Sequence, residues 1–398
     1  MILRTSKLGV NSETETETET ETENLDFSST YSDNLPKILA QLGISLLATS
    51  YHSQRLIVVR SQVGKLETKL KAFPRPMGLY ADDNRITLGT LNQVIDFKKT
   101  KSGHRAIIDG EFDNYEALPS KLQDSELKEL TQFRYELSEQ VQSVKSADSL
   151  FVERASLSTG LINAHDIAWG TEGLWVVNSV FSCLCKLSPD YSFVAAWRPE
   201  FISELKPDNR CHLNGMAMLD GIPRYATAFS ESDTAEGWRD EIGSHGVLID
   251  VVENKIVKAG ISMPHSPRCH LGKVYYCASG DGAIHVYDPE ADTTRVLAEL
   301  PGFTRGMTFF GDLMIVGTST LRTSDGKMNF TGNERLLGEN QCGIWLLDIN
   351  NGKVISCLTF SGDVKQIYDI AIVTSSTAPE VLQSSDALSS FIFEFCQE

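Results

Sequence analysis

From Leu42 onward the chain alternates short runs of β-branched and aromatic residues with Gly, Asp, Asn and Pro turn signals, the pattern of strands joined by tight turns. ISLLATS, RLIVVR and KLETKLKAF follow one another across turns of a few residues, as do GLYAD, RITLGT and NQVIDFKK, so each trio reads as an antiparallel meander. One stretch breaks this rhythm. Between Ser102 and Ala147, the phrase EALPSKLQDSELKELTQFRYELSEQVQSV spaces apolar residues by three and four among many charges, which predicts one or two amphipathic helices inserted between strands. Such an insertion serves either as a cap packed on one face of the fold or as an arm for a protein partner.

The strand pattern repeats. RPMGLYADDNRITLGT from Arg75, AHDIAWGTEGLWVVNS from Ala164, HLNGMAMLDGIPRYATAF from His212, HSPRCHLGKVYYCASGDG from His265, TRGMTFFGDLMIVGTS from Thr304 and YDIAIV from Tyr368 share one form. Each has a polar residue, then a small or acidic one, an apolar strand, a Gly or Asp turn and a second strand. GAIHVYDPE, CGIWLLDINNGKV and GVLIDVVENKIV supply third and fourth strands downstream. One such sheet cannot bury both its faces, whereas sheets stacked around an axis can. The expected fold is therefore all-β, a closed β-propeller of about six four-stranded blades with a small helical insertion. ISLLATS to KLKAF lacks an opening strand, and IYDIAIV and SSFIFEF lack a complete blade, so the two chain ends are expected to share a blade as a clasp.

Composition adds a boundary and removes some functions. The 398 residues are 41% hydrophobic and carry a net charge of −17, with six glutamates alternating with threonine between Glu13 and Glu23. Residues 1–36 are expected to form a disordered acidic leader, residues 37–398 the propeller, and residues 102–147 its helical insertion. An acidic chain without a Lys/Arg stripe repels phosphate backbones, which argues against nucleic acid. Met1 to Val10 has no apolar signal region and no run reaches the roughly 18 apolar residues of a membrane span. The eight cysteines are scattered without a CxxC pair, which suits a reducing cytoplasm.

The phrases NAHDIAW, CHLNGMAM, MPHSPRCHLGK, LPGFTRGMTF and QCGIWLLD, in that order, resemble the signature of a bacterial family catalogued as domain of unknown function DUF4915. The resemblance runs from roughly Leu42 to Val373 and carries no activity with it. More distantly, the repeat looks like that of six-bladed propellers of the gluconolactonase/senescence-marker, strictosidine synthase and NHL groups, a likeness of fold alone.

In a propeller the inner strand of every blade starts at one mouth of the central channel. Aligning the repeats places Met77, His165, Asn214, Ser266, Arg305 and Tyr368 at equivalent positions, beside Gly78, Asp166, Gly215, Pro267, Gly306 and Asp369. His165, His212, His265 and His270 fall in or next to these strand starts, with Arg268 nearby. Polar groups converging with an arginine suit a small anionic ligand or a modified side chain on another protein; Asn214, His212, Ser266, Arg268, Arg305 and Tyr368 are the candidate binding residues.

Other chemistries use the same ring. A hydrolase or isomerase would employ His165 or His265 as acid or base, oriented by Asp166 or Asp369, with Arg305 stabilising negative charge. The lactonase-like fold implies a divalent metal on His165, Asp166, Asn214 and Asp369, although Arg305 would oppose a cation. The bland alternative is a satisfied polar plug that fixes blade register. Two insertions, SESDTAEGWRDEIGSHG with Trp238 and Arg239, and LRTSDGKMNFTGNERLLGENQ with Arg322 and Arg335, are either walls of the site or solvated loops. GSHG and SGDG read as hairpins, and no GxSxG nucleophile elbow occurs.

Overall fold

The computed structural model describes residues 26–110, 124–240, 242–321, 323–324, 327–328, 334–338 and 340–395. Six antiparallel sheets of four strands, two of them carrying a fifth, form a six-bladed β-propeller. Blade 1 takes Asp369–Val373 as its inner strand, followed outward by Ser45–Ser50, Arg55–Gln62 and Lys65–Ala72. The remaining blades follow in chain order with inner strands Leu79–Ala81, Ala164–Gly170, Leu213–Leu219, Pro264–His270 and Phe303–Phe310 for blades 2 to 6.

Each blade is buried on both faces, which is why its strands read as continuous apolar runs. In blade 1, Leu46 and Ile57 enter the layer shared with Ile315 and Ile344 of blade 6, while their neighbours Leu47 and Val58 enter the layer shared with Ile86 and Phe97 of blade 2. Successive side chains of one strand thus fill two different inter-blade layers. The pattern continues around the ring: Val94 meets Val176 between blades 2 and 3, Val177 meets Val247 between 3 and 4, Leu248 meets Tyr276 between 4 and 5, and Ile284 meets Val316 between 5 and 6. Burying a Leu or Ile side chain contributes about 1.5–3 kcal/mol, so closure removes apolar edges from water all round.

The ends close the ring as the sequence predicts, with Leu46 opposite Ile372 and Leu47 opposite Ala371 in blade 1. Two further additions brace the outer edges. Ser29–Tyr31 pairs with the outer strand of blade 6, so the expected leader boundary at residue 36 moves: residues 1–25 lie outside the described residues, but the segment from Ser29 belongs to the sheet. Leu35–Leu42 follows as a helix with Pro36 in its first turn and Gly43 in the left-handed conformation (φ 65°) at its end. Pro379–Leu382 runs parallel to the outer strand Ser149–Ser158 of blade 2.

The helical insertion sits between the third and outer strands of blade 2, as Ser102–Ile108 and Asp124–Lys145. It packs through Ile107, Leu137, Val141 and Val144 onto Leu150 and Val152 of the outer strand and onto Leu382 and Leu388. It therefore covers the rim of blade 2. The SSFIFEF segment does not enter the clasp blade; Ala387–Phe391 forms a 3-10 turn against this insertion. No described helix is long and apolar enough to cross a membrane, and the seven described cysteines are free thiols.

Candidate functional site

Antiparallel pairing sets the start of each inner strand beside the end of the second strand of the same blade, so both sets of residues gather at one mouth. Hydroxyls at second-strand ends reach across to the next blade: Thr49 Oγ1 donates to Met77 O (2.7 Å), Ser179 Oγ to Leu213 O, Ser279 Oγ to Thr304 O (2.6 Å) and Ser319 Oγ to Ile367 O (3.0 Å). These bonds hold the strand starts in a common plane of the ring.

Above that plane the side chains form a belt of rings. The Arg305 guanidinium lies 3.4 Å over the Tyr368 centroid, and Tyr368 meets His165 edge to face at 5.3 Å. His165 stands perpendicular to His212 at 4.8 Å, and His212 packs on Trp238 at 4.4 Å and Phe229 at 4.6 Å. Phe229 meets His265 at 5.0 Å, and His265 meets Phe303 at 5.4 Å. Two more arginines stand at the edge, Arg75 over Tyr51 at 5.5 Å, itself stacked on Tyr368, and Arg239 over Trp238 at 4.4 Å.

The three imidazoles are uncharged at neutral pH. Burial, then His212 and Arg305, hold His165 well below the usual histidine range; burial and then Arg305 and Arg239 bring His212 to about 3; burial and then Arg305, His212 and His165 hold His265 well below it. Their hydrogen bonds also fix the tautomers. His165 Nδ1 faces Asn163 O at 3.3 Å, and a carbonyl only accepts, so Nδ1 carries the proton. His265 Nδ1 likewise faces Met263 O at 3.1 Å and Ser279 Oγ at 2.8 Å; that hydroxyl spends its proton on Thr304 O, so Nδ1 donates here too. His212 is the reverse. The Asn209 amide satisfies its neighbours only when its nitrogen donates to Ser179 O (3.1 Å) and His212 Nδ1 (3.2 Å) and its oxygen accepts from Trp238 Nε1 (3.2 Å), which leaves the proton of His212 on Nε2. Among the described residues, Nε2 of none of the three makes a hydrogen bond.

Further along the inner strands lies a second arrangement. Arg268 of blade 5 donates to Asp166 of blade 3 through both terminal nitrogens (2.7 and 3.2 Å), approaches Asp369 of blade 1 (3.5 Å), and donates to Met216 O of blade 4 and Met307 O of blade 6. Asp369 accepts in turn from Leu79 N of blade 2, and Asp166 from Met216 N. One guanidinium and two buried carboxylates thus link inner strands of all six blades. Burial and the nearby Asp166 push Asp369 up to about 7, against the pull of Arg268. The strands approach closely here: a Cβ on Gly215 would stand 2.3 Å from Pro267 Cδ, and Gly306, at φ 72°, already lies where a Cβ would sit 2.9 Å from Asp369 Cα.

The sequence-predicted residues therefore divide. His165, His212, His265, Arg305 and Tyr368 meet at the mouth, whereas Asp166, Arg268 and Asp369 form the axial network. Neither aspartate orients a histidine, since the Nδ1 positions are taken by Asn163 O and Met263 O. Ser266 Oγ accepts from Gly306 N (2.9 Å) and serves as an inter-blade link. Asn214 accepts from Thr227 Oγ1 (2.8 Å) through Oδ1, and its buried Nδ2 has no partner among the described residues. His270 is at the opposite end of its strand, stacked on Phe309 and bonded to Gly311 O. The metal reading does not fit: Asp166 and Asp369 share a guanidinium where a cation would stand, and no described group of three His, Cys, Asp or Glu residues is placed to hold an ion.

Trp238 makes its insertion a wall of the mouth, being buried against His212 and Phe229. Arg322 lies outside the described residues, and Arg335 donates to Leu300 O and Asp281 O. Tyr51, Phe229 and Arg75 belong to the site but were not singled out in the sequence; the first two directly follow second strands, the position that antiparallel pairing brings to the mouth. An open groove of about 530 Å³ exists elsewhere, between Phe201 and Ile256 on the outer flank of blade 4. Its lining includes Glu200, Glu231 and Glu253 and no inner-strand residue, so it lacks the convergent buried groups that mark the mouth.

The sequence matches DUF4915, a domain of unknown function, over residues 33–119 and 115–382. The chain belongs to this family. DUF4915 membership thus covers every blade and both halves of the mouth. No curated protein matches the chain. Among solved structures, one titled "Crystal structure of Nidogen/Laminin Complex" is similar with a TM-score of 0.48 and 9% identity, covering 83% of this chain and 99% of that one.

Proposed function

We propose that this DUF4915 protein is a small-molecule-binding propeller whose axial mouth receives an anion through Arg305. One observation carries the reading: in a chain of net charge −17, Arg305 acts on three imidazoles, His265 buried and His165 and His212 half-buried, that remain neutral, with Arg75 and Arg239 at the same rim. A guanidinium held over an aromatic face and flanked by uncharged imidazoles suits a carboxylate or phosphate, free or carried on another protein's side chain. The axial Arg268 network belongs to closure and leaves the chemistry to the belt above it.

A catalytic version, hydrolase or isomerase, uses the same groups. It would draw on the Nε2 lone pairs of His165 and His265, which the lowered basicity of both rings makes weak bases, so binding is the better-supported reading. Isothermal titration with small carboxylates and phosphates at pH 7 tests the binding reading: wild type is expected to bind, and Arg305→Ala to bind at least about tenfold more weakly. Equal affinities, or no binding by either protein, would instead favour a scaffold acting through the helical insertion.

A further inference from the structure

Resting on the proposed anion site, we infer that its ligand is a hydroxylated anion, a short chain bearing a carboxylate or phosphate together with hydroxyl groups. The inference comes from the donor and acceptor pattern of the belt. An anion needs donors only, and Arg305 with the Nε2–H of His212 supplies them. His165 and His265 present the opposite face, because Asn163 O, Met263 O and Ser279 Oγ keep their protons on Nδ1 and leave Nε2 as a lone pair. Two acceptors at an anion site would repel a bare carboxylate and require donors from the ligand. A hydroxyl supplies such a donor while its oxygen accepts from a neighbouring donor.

Asn214 is the second observation. Its side chain is 3% exposed, its Oδ1 is engaged by Thr227, and Nδ2 has no partner among the described residues. A buried donor without a partner costs stability; Asn214 is the second residue of the inner strand that starts at Leu213, and a ligand hydroxyl reaching that depth would satisfy it. Neutral imidazoles are essential to this pattern. The charged and titratable groups around them, Arg305, Arg239, Tyr368 and one another, disfavour or do not support the imidazolium form.

Matched pairs test the inference on the intact protein: glycerate against propanoate, and glycerol 3-phosphate against propyl phosphate, each titrated calorimetrically at pH 7. The hydroxylated member is expected to bind about fivefold or more tightly in at least one pair, and the pair showing the preference identifies the head group. In His165→Phe and His265→Phe, which retain an aromatic ring but lose the acceptor, that ratio should fall toward one. Equal binding within both wild-type pairs overturns the hydroxyl assignment while leaving the anion site standing; no binding by any of the four overturns both. A ratio unchanged in folded variants also overturns it, and the wild-type pairs decide the matter if neither variant folds.

Discussion

His165, His212 and His265 are residues whose burial has a sign. An unfolded histidine titrates near 6.5, whereas these folded rings stay neutral well below that, His212 down to about 3. As pH falls below about 6.5 the unfolded chain takes up protons that the native one refuses, so the stability contributed by neutral burial is complete above that pH and is lost on acidification. Asp369 works in the opposite sense. Raised to about 7, it holds a proton in the native state that an unfolded aspartate releases above about 4, and its contribution disappears as pH rises through 7. Three histidines against one aspartate make the loss on acidification dominate. Urea unfolding between pH 7.5 and 4.5 should show wild type losing stability more steeply than His212→Gln, by about one proton in the slope; parallel curves would contradict the assignment. The chemistry of these residues was legible in the sequence as polar groups before apolar runs. Their division was not, because one step along a strand turns His165 toward the mouth and Asp166 toward Arg268, and the bulge between His265 and Arg268 shifts the register of blade 5.

Among the elements, the parallel strand Pro379–Leu382 carries a buried charge. Its Glu380 is 1% exposed and meets Lys69 (2.6 Å), Lys71 (2.9 Å) and Arg60 (3.7 Å), joining the edge of blade 2 to blade 1. Burial alone would raise the carboxyl, but Lys71 and Lys69 outweigh it and hold Glu380 down at about 2. Replacing it leaves Lys69 and Lys71 without their buried carboxylate, while Arg60 keeps Glu67 (2.6 Å), so Glu380→Ala should cost about 3–5 kcal/mol in chemical denaturation, and a loss under about 1 kcal/mol would show the charges to be solvated. Nothing in PEVL predicted a strand. Four residues are too few to show a period, and the pairing is to a partner more than two hundred positions away. The clasp was legible for the converse reason: a long apolar strand lacking its neighbours in sequence, at each end of a repeat, has one obvious partner.

For the whole molecule, closure depends on contacts that no single blade contains. Arg268, itself on blade 5, gathers carboxylates and carbonyls from four other blades and, through Asp369, reaches the sixth. Arg268→Met fills similar space but leaves Asp166 and Asp369 buried without their cation, and should destabilise the protein by about 3–5 kcal/mol in one cooperative transition; unchanged stability would mean the ring closes without its axial link. The propeller itself could be read in the sequence because the repeat is the fold. What the mouth holds can be read by nitrogen-detected NMR of histidine-labelled protein at pH 7. Neutral rings are expected, protonated at Nδ1 in His165 and His265 and at Nε2 in His212, whose signals shift on titration with glycerate while those of His52 and His270 stay put. Charged imidazoles, or mouth signals indifferent to every anion, would contradict this.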